Sequence, residues 1–457
     1  MTYRILRNVS CIIITAVFLA KIGLAQGYKE VPAFSNDDRV LLLAPHPDDE
    51  SIGTAGVIQA AIAQGAKVKV VLFTNGENNE LAFIVYEKRI VFRKSAFIHM
   101  GEVRRKETIA AMLSLGINLN DIIFLGYPDF GTMEILTKYW QDTSPYRSML
   151  PRQTRVPYPE AFSPGAPYVG ESILKDIKKL ISDFKPTKIF VSHPVDTNRD
   201  HRALYVFLRI ALWDLKAQEA GVQIFPCLIH VVRWPSPRGY YPNLELKPPK
   251  EVGNGEIVWQ SFSLSDAEIK SKHDAIEFYK SQIKCDPPYL FTFARKNEIF
   301  GDYPEVKIRR QNKGEINWQD LGINDEVASS ADIKYENQLS YLAYARQDDF
   351  LFIRLALKRK VLGDFGVSIN LLGYSKKIDF PEMPKIQLNI GLGGIHIKDK
   401  KRSLFIKDVR LTAKGKELIV KIPLSVLGNP DYILSCVRAH FGALPLYASA
   451  WRVLLLE

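Results

Sequence analysis

His46-Pro47-Asp48-Asp49-Glu50 sets one imidazole and three carboxylates within five consecutive residues. Crowding acids in this way is costly unless a cation compensates them or one of them has a proton to move. A second polar cluster comes later, His193-Pro194-Val195-Asp196-Thr197-Asn198-Arg199-Asp200-His201. Together, His46, Asp49 and His201 make a two-imidazole, one-carboxylate set with open coordination positions. That donor set suits catalytic zinc, and iron(II) fits the same ligands.

Both clusters follow apolar runs, at 40–44 and 188–192, that read as buried parallel strands. Helical periodicity follows each, at 53–64 and 201–217. The polar residues therefore fall at the carboxyl ends of strands, where open α/β sheets bind ligands. Further strands are expected at 69–74, 122–125 and 228–232, and helices at 102–115 and 170–184. The alternation predicts an α/β fold, a Rossmann-like, mostly parallel sheet with flanking helices. Gly53-Thr54-Ala55-Gly56 lacks the spacing of a dinucleotide loop, and carboxylates stand where a pyrophosphate would approach, which excludes that class.

The chain resembles the PIG-L/LmbE family of metal-dependent N-acetylglucosaminyl deacetylases. Pro45-His46-Pro47-Asp48-Asp49-Glu50 matches the first family motif, and Asp196 to His201, ending in Asp200-His201, matches the second. Shorter matches keep family order across 36–305. They are Val103-Arg104-Arg105-Lys106-Glu107, Leu125-Gly126-Tyr127-Pro128-Asp129, Tyr279-Lys280-Ser281-Gln282, Phe293-Ala294-Arg295 and Glu298-Ile299-Phe300. The resemblance implies His46, Asp49 and His201 as zinc ligands and Asp48 as the general base. Arg104, or its neighbour Arg105, and Asp129 match positions that hold the sugar. Asp200 is a candidate acceptor that orients an imidazole, or else the N-cap of its helix. Many members carry a histidine where this chain has Asn198. An amide can donate a hydrogen bond to an oxyanion but cannot shuttle a proton, so protonated Asp48, His193 or another group would return it. His99, His230, His273, His396 and His440 show no ligand-like spacing and read as structural or surface residues.

The implied activity is removal of the N-acetyl group from N-acetylglucosamine-containing or related glycans. Two other readings stay open: an amidase acting on another small acylated sugar conjugate, and a metal- and glycan-binding protein without turnover. The expected partner is a glycan or small sugar. No nucleic-acid motif is present, and the formal charge of +11 reads as a solvated basic surface. Nothing in the sequence sets an oligomeric state.

Residues 1–25 read as a signal peptide, with Arg4 and Arg7 ahead of an apolar stretch and a small-residue cleavage site at Ala25. Its removal takes away Arg4, Arg7 and Lys21 and no acids, so the charge falls from +11 to +8. The expected location is secreted or periplasmic, with membrane contact only if this segment stays uncleaved. Cys227, Cys285 and Cys436 form neither a disulfide framework nor a metal spacing.

Residues 76–100 are expected as a lobe beside the site. The loop 131–169 carries Tyr139, Trp140, Tyr146 and Tyr158, either to shape a saccharide cleft or to pack the loop onto the sheet. Residues 306–315 read as a linker. Alternating runs at 350–357, 367–372, 386–390, 404–411 and 417–422 then predict a β-sandwich domain over 316–457. It faintly resembles sugar-binding sandwiches such as the family-9 modules; a stabilising or docking domain is the other reading.

Overall fold

The computed structural model describes residues 28–79, 84–85, 93–141, 143–217, 219–250, 252, 256–318, 321–323, 339–442 and 444–457. The expected signal segment lies outside them. Among the described residues, no helix is long and apolar enough to cross a membrane.

The first sheet contains β1 (Lys29–Glu30), β2 (Arg39–Ala44), β3 (Lys67–Thr74), β4 (Ile122–Tyr127), β5 (Lys188–Ser192), β6 (Gln223–Cys227), β7 (Gln260–Ser263) and β8 (Asn297–Phe300). Among the described residues its order is β1-β7-β8-β6-β5-β2-β3-β4. Strands β4, β3, β2, β5 and β6 run parallel, and β8 is antiparallel to its neighbours. Val40 to Leu43 are at most 4% exposed, as expected for a strand covered by helices on both faces. The chain builds outward from β2 through β3 to β4, then returns to add β5 and β6 on the other side of β2. The order therefore reverses between β2 and β5, and a crevice opens at the carboxyl ends of those two strands.

The α-helices described in full are α1 (Asp49–Ala63), α2 (Lys94–Ser114), α3 (Thr132–Lys138), α4 (Gly170–Phe184), α5 (Arg199–Asp214), α6 (Asp266–Ile276), α7 (Lys280–Ile283) and α8 (Pro287–Phe291). In α1 the glycines serve close packing. A Cβ on Gly53 would lie 2.6 Å from Cys227 Sγ, and one on Gly56 would lie 2.7 Å from Leu264 Cγ.

The sixth strand corrects the sequence expectation. It spans Gln223–Cys227 rather than 228–232, with Phe225 stacked on Phe190 at 4.8 Å. Residues 228–232 instead form a largely buried loop beyond the strand end.

Two further sheets make a sandwich. One contains β10 (Arg310–Gln311), β11 (Gly322–Ile323), β12 (Leu339–Gln347), β13 (Phe350–Leu357), β18 (Arg410–Lys414) and β19 (Glu417–Pro423). The other contains β9 (Val306–Ile308), β14 (Phe365–Tyr374), β15 (Lys385–Gly391), β16 (Gly394–Asp399), β17 (Arg402–Leu404), β20 (Tyr432–Phe441), β21 (Leu444–Ala448) and β22 (Arg452–Leu456). The expected linker thus supplies β9 and β10, which pair with β22 and β12. The run expected at 404–411 divides between β17 and β18.

Strand β14 is buried along its whole length. Alternate residues Val367, Ile369 and Leu371 face the sandwich core, while Leu372 and Tyr374 join an apolar cluster with Trp140, Phe207 and Trp213 of the α/β unit. Trp213 stacks on Tyr432 at 4.8 Å, and Trp140 meets Phe380 edge-on at 5.0 Å. Of the loop aromatics, Trp140 and Tyr158 are buried, which is the packing role rather than the open-cleft one. The sandwich is therefore joined to the α/β unit through core, not through a tether. Ending the chain at residue 305 is expected to expose this face and cost on the order of 1.5–3 kcal/mol for each large side chain uncovered. Solubility and urea unfolding would check this; a truncated chain as soluble and as stable as the full one would contradict it.

Candidate metal centre

The turn between β2 and α1 carries the first cluster. Asp48 adopts a φ of 113°, in a region that residues with a side chain seldom occupy. Such strain persists only where the surroundings enforce it, and it concentrates at functional sites. Here the Asp48 N–H donates to Glu50 Oε2 at 3.0 Å, and the Asp48 carbonyl accepts from Ile52 N at 2.9 Å. Arg104, 3% exposed, donates to the Pro47 carbonyl at 2.6 Å and to the Gly76 carbonyl at 2.8 Å. Its Nη2 also stands 3.5 Å from Asp48 Oδ2. The guanidinium that the resemblance gives to the sugar is thus largely occupied in holding the Asp48 turn.

His46, Asp49 and His201 converge, all buried. Asp49 Oδ2 lies 3.2 Å from His46 Nδ1 and 3.0 Å from His201 Nε2, and the two ring nitrogens are 3.3 Å apart. Donors roughly 2.0–2.1 Å from a tetrahedral ion stand about 3.3–3.4 Å from one another, so these three atoms fit one zinc-sized cation.

The far nitrogen of each imidazole meets carboxylate. His201 Nδ1 stands 3.2 Å from Asp196 Oδ2. His46 Nε2 stands 3.2 Å from Asp129 Oδ1 and 3.4 Å from Asp200 Oδ2. Carboxylates at that position fix the tautomer and the ring orientation of a ligating histidine. Asp200 is itself anchored by the Phe130 N–H at 2.6 Å and the Thr132 N–H at 3.1 Å. Asp196 accepts from the backbone of Asn198, Ile229 and His230 at 2.8, 3.2 and 2.9 Å.

Several expected roles shift accordingly. Asp200 serves His46 rather than the adjacent His201, and the helix N-cap is Asn198, whose Oδ1 accepts from Asp200 N at 2.9 Å. Asp129 is buried against His46, with its other oxygen bonded to Asn78 N at 2.9 Å. His193 stacks on Trp259 at 5.6 Å, and burial drops its pKa to about 3, which keeps the ring neutral. Asp196 and His230 are the residues that sequence reasoning missed. The His230 ring packs edge-on against His201 at 4.7 Å, and its Nδ1 lies 2.9 Å from the Tyr289 hydroxyl. Its signal is positional, since it follows β6 at the same edge of the sheet as the two motifs.

The electrostatics call for positive charge at this place. Burial alone would lower both imidazoles, yet the surrounding carboxylates draw His46 well above its usual value and His201 up to about 9. Burial opposes ionisation of Asp49, but His201 and His46 hold it well below the carboxylate range. Asp48 goes the other way: burial, together with Asp49 and Glu50, pushes it well up against the pull of Arg104. Burial likewise raises Glu50 to about 7 and, with Asp129, Glu77 to about 8.

Beside Arg104 lies a group of buried polar atoms without hydrogen-bond partners among the described residues: both side-chain atoms of Asn75, Glu77 Oε2, Arg104 Nε, Thr108 Oγ1 and Tyr158 Oη. Buried polar atoms normally find a partner, so this surface suits water or a hydroxylated ligand.

The α/β unit thus carries, at its switch point, a two-imidazole, one-carboxylate donor set that could hold a metal ion. Residues 41–212 match the family described as PIG-L, GlcNAc-PI de-N-acetylase. It is 36% identical over 106 residues to a 1D-myo-inositol 2-acetamido-2-deoxy-alpha-D-glucopyranoside deacetylase of Nocardioides, covering 23% of this chain and 33% of that protein. A protein of the same description from Acidothermus cellulolyticus is 38% identical over 98 residues, covering 21% and 32%. The chain thus spans about a third of the length of these curated relatives. Among solved structures, N,N'-diacetylchitobiose deacetylase from Pyrococcus horikoshii aligns with a TM-score of 0.35 and 20% identity, over 58% of this chain and 83% of that one. The A40926 pseudoaglycone deacetylase aligns with a TM-score of 0.35 and 17% identity, over 58% and 96%.

Proposed function

We propose that this protein is a metal-dependent N-deacetylase that releases acetate from an N-acetylglucosamine-type sugar. The observation that carries the proposal is the His46–Asp49–His201 donor set with the strained, buried Asp48 beside it. The relatives' printed substrate, a 2-acetamido-2-deoxyglucoside of inositol, supports an acetamido sugar in the site.

His46, Asp49 and His201 would hold a divalent ion, which would supply Lewis-acid activation of water, lowering its pKa from about 15.7 towards about 7. Asp48 takes the proton of the attacking water and returns it to the leaving amine, which closes the proton balance. Arg104 and Glu50 hold the turn that presents Asp48. Asp196 orients His201; Asp129 and Asp200 orient His46. His230 and the amide nitrogen of Asn198 are the neutral groups we assign to the oxyanion. Asn75 and Glu77, with unpartnered polar atoms beside Arg104, are the groups we assign to the ring hydroxyls. Zinc is the metal we assign, with iron(II) the second choice, and the signal-like pattern of residues 1–25 supports our reading of a secreted or periplasmic location.

The test is acetate release from N-acetylglucosamine oligomers and small 2-acetamido glucosides by residues 26–457 loaded with zinc. Release that a chelator abolishes and zinc restores is the expected result. Full metal binding with no release from either substrate set would overturn the proposal.

A further inference from the structure

The PIG-L region and the sandwich enclose a second cavity, distinct from the metal centre. It encloses ≈ 170 Å³. Domain interfaces are a preferred place for ligand sites, and this volume suits a small ionic group rather than a whole glycan. Its walls come from α3 and the start of α5 on one side and from β14, β15 and β20 on the other.

The charge of this cavity is one-sided. Lys138, Arg199, Arg202 and Arg438 line it, with Glu134 as the carboxylate among its lining residues. Glu134 is already shared, by Arg199 at 2.7 Å and by Lys138 at 2.6 Å. Arg202, 6% exposed, spends one nitrogen on the Ser449 carbonyl and on Cys436 Sγ, but its buried Nε has no partner among the described residues. Arg438 has no hydrogen bond or ion pair among the described residues, although it sits close to Arg199 and Arg202. A half-buried guanidinium beside two like charges costs free energy unless an anion answers it. Asn370 and Gln387, also in the lining, add neutral hydrogen-bonding groups.

The cavity also borders the metal centre through both halves of its scaffold. Thr197 lines it and bonds the His230 carbonyl at 3.1 Å. Met133 lines it and follows Thr132, which anchors Asp200.

We propose that this inter-domain cavity binds an oxyanion, a carboxylate or a phosphate, carried on the substrate next to the acetamido sugar. The substrate class is then an acidic glycan, and the sandwich contributes Arg438, Asn370 and Gln387 to its recognition. Guanidinium forks match both oxyanions in geometry and charge. The identity of the bound molecule as a substrate rests on the deacetylase reading; the presence of an anion site does not.

The experiment has a binding arm and a turnover arm, both with residues 26–457 loaded with zinc. Glucuronate, inorganic phosphate and neutral N-acetylglucosamine are titrated calorimetrically into wild type, Arg438→Gln and Gln387→Glu. At least one of the two anions should bind wild type. Either substitution should weaken that binding about tenfold, the worth of one charge-assisted hydrogen bond. Because Arg438 has no partner to lose, Arg438→Gln should melt no lower than wild type, whereas a residue that glues the junction would lower the melting temperature. Binding of glucuronate alone identifies a uronate, and binding of phosphate alone a phosphate ester. In the turnover arm, wild type should show a lower KM for an acidic acetamido glycan than for its neutral analogue, and Arg438→Gln should remove that preference at unchanged kcat on the neutral one. Anion binding without acetate release would overturn the deacetylase reading and keep the cavity assignment. Acetate release with no anion bound, or anion binding that ignores both substitutions, would overturn the cavity assignment alone.

Discussion

Asp48→Asn is expected to lower kcat for acetate release by about 10²–10⁴-fold, the usual worth of a positioned general base. The substitution isolates the proton-accepting function. Asparagine has the same shape, tolerates a positive φ better than most residues, and keeps an oxygen for Arg104. The backbone bonds from Asp48 N to Glu50 and from Ile52 N to the Asp48 carbonyl do not involve the side chain. Fold and metal content should therefore stay as in wild type, and KM should move little. Rate, KM and metal per chain measured on the same preparation check all three. A variant that keeps full metal and loses less than about tenfold in kcat would show that a different group takes the proton. A non-hydrolytic glycan binder would hardly notice the substitution.

The positions of both motifs were legible because β2 and β5 are covered on both faces and so read as unbroken apolar runs. The pairing of acids with imidazoles was not legible. Asp200 and His201 are neighbours in sequence, but consecutive residues on a helix point about 100° apart, so Asp200 cannot face its neighbour's ring. It turns to His46, while Asp196, in the turn before α5, reaches His201. His230 stayed hidden for a different reason. Pro226 sits inside β6, where proline is disfavoured, and the apolar residues just beyond it mimic a strand. Moving the strand end back to Cys227 puts His230 in a loop beside His201. In the sandwich the alternation of Leu351, Ile353 and Leu355 marked β13 plainly. The short β9 and β10 read as linker because two- and three-residue strands carry too little periodicity to register.

Zinc added to the metal-free protein is expected to raise its melting temperature, by the equivalent of about 2.7 kcal/mol at a free concentration of 100 times Kd. The ion binds the folded state through groups that are far apart in the unfolded chain, two from one strand end and one from another. Asp196→Asn should keep the ligands but loosen His201, weakening metal affinity about 10–100-fold. His201→Ala removes a ligand and should abolish the zinc-dependent shift together with turnover. The order of the shifts, wild type above Asp196→Asn above His201→Ala, follows from the geometry and needs no substrate. The site also offers a competing arrangement, in which His46 Nε2, Asp129 and Asp200 converge on the opposite side of the same ring. An ion held there would leave the shift intact in His201→Ala and remove it in Asp129→Asn. Two imidazoles around one carboxylate favour zinc over an oxygen-rich set with a single imidazole. The shift should therefore vanish with His201 and survive, though reduced, with Asp129→Asn, because Asp129 acts on His46 only through the ring nitrogen that faces away from the ion.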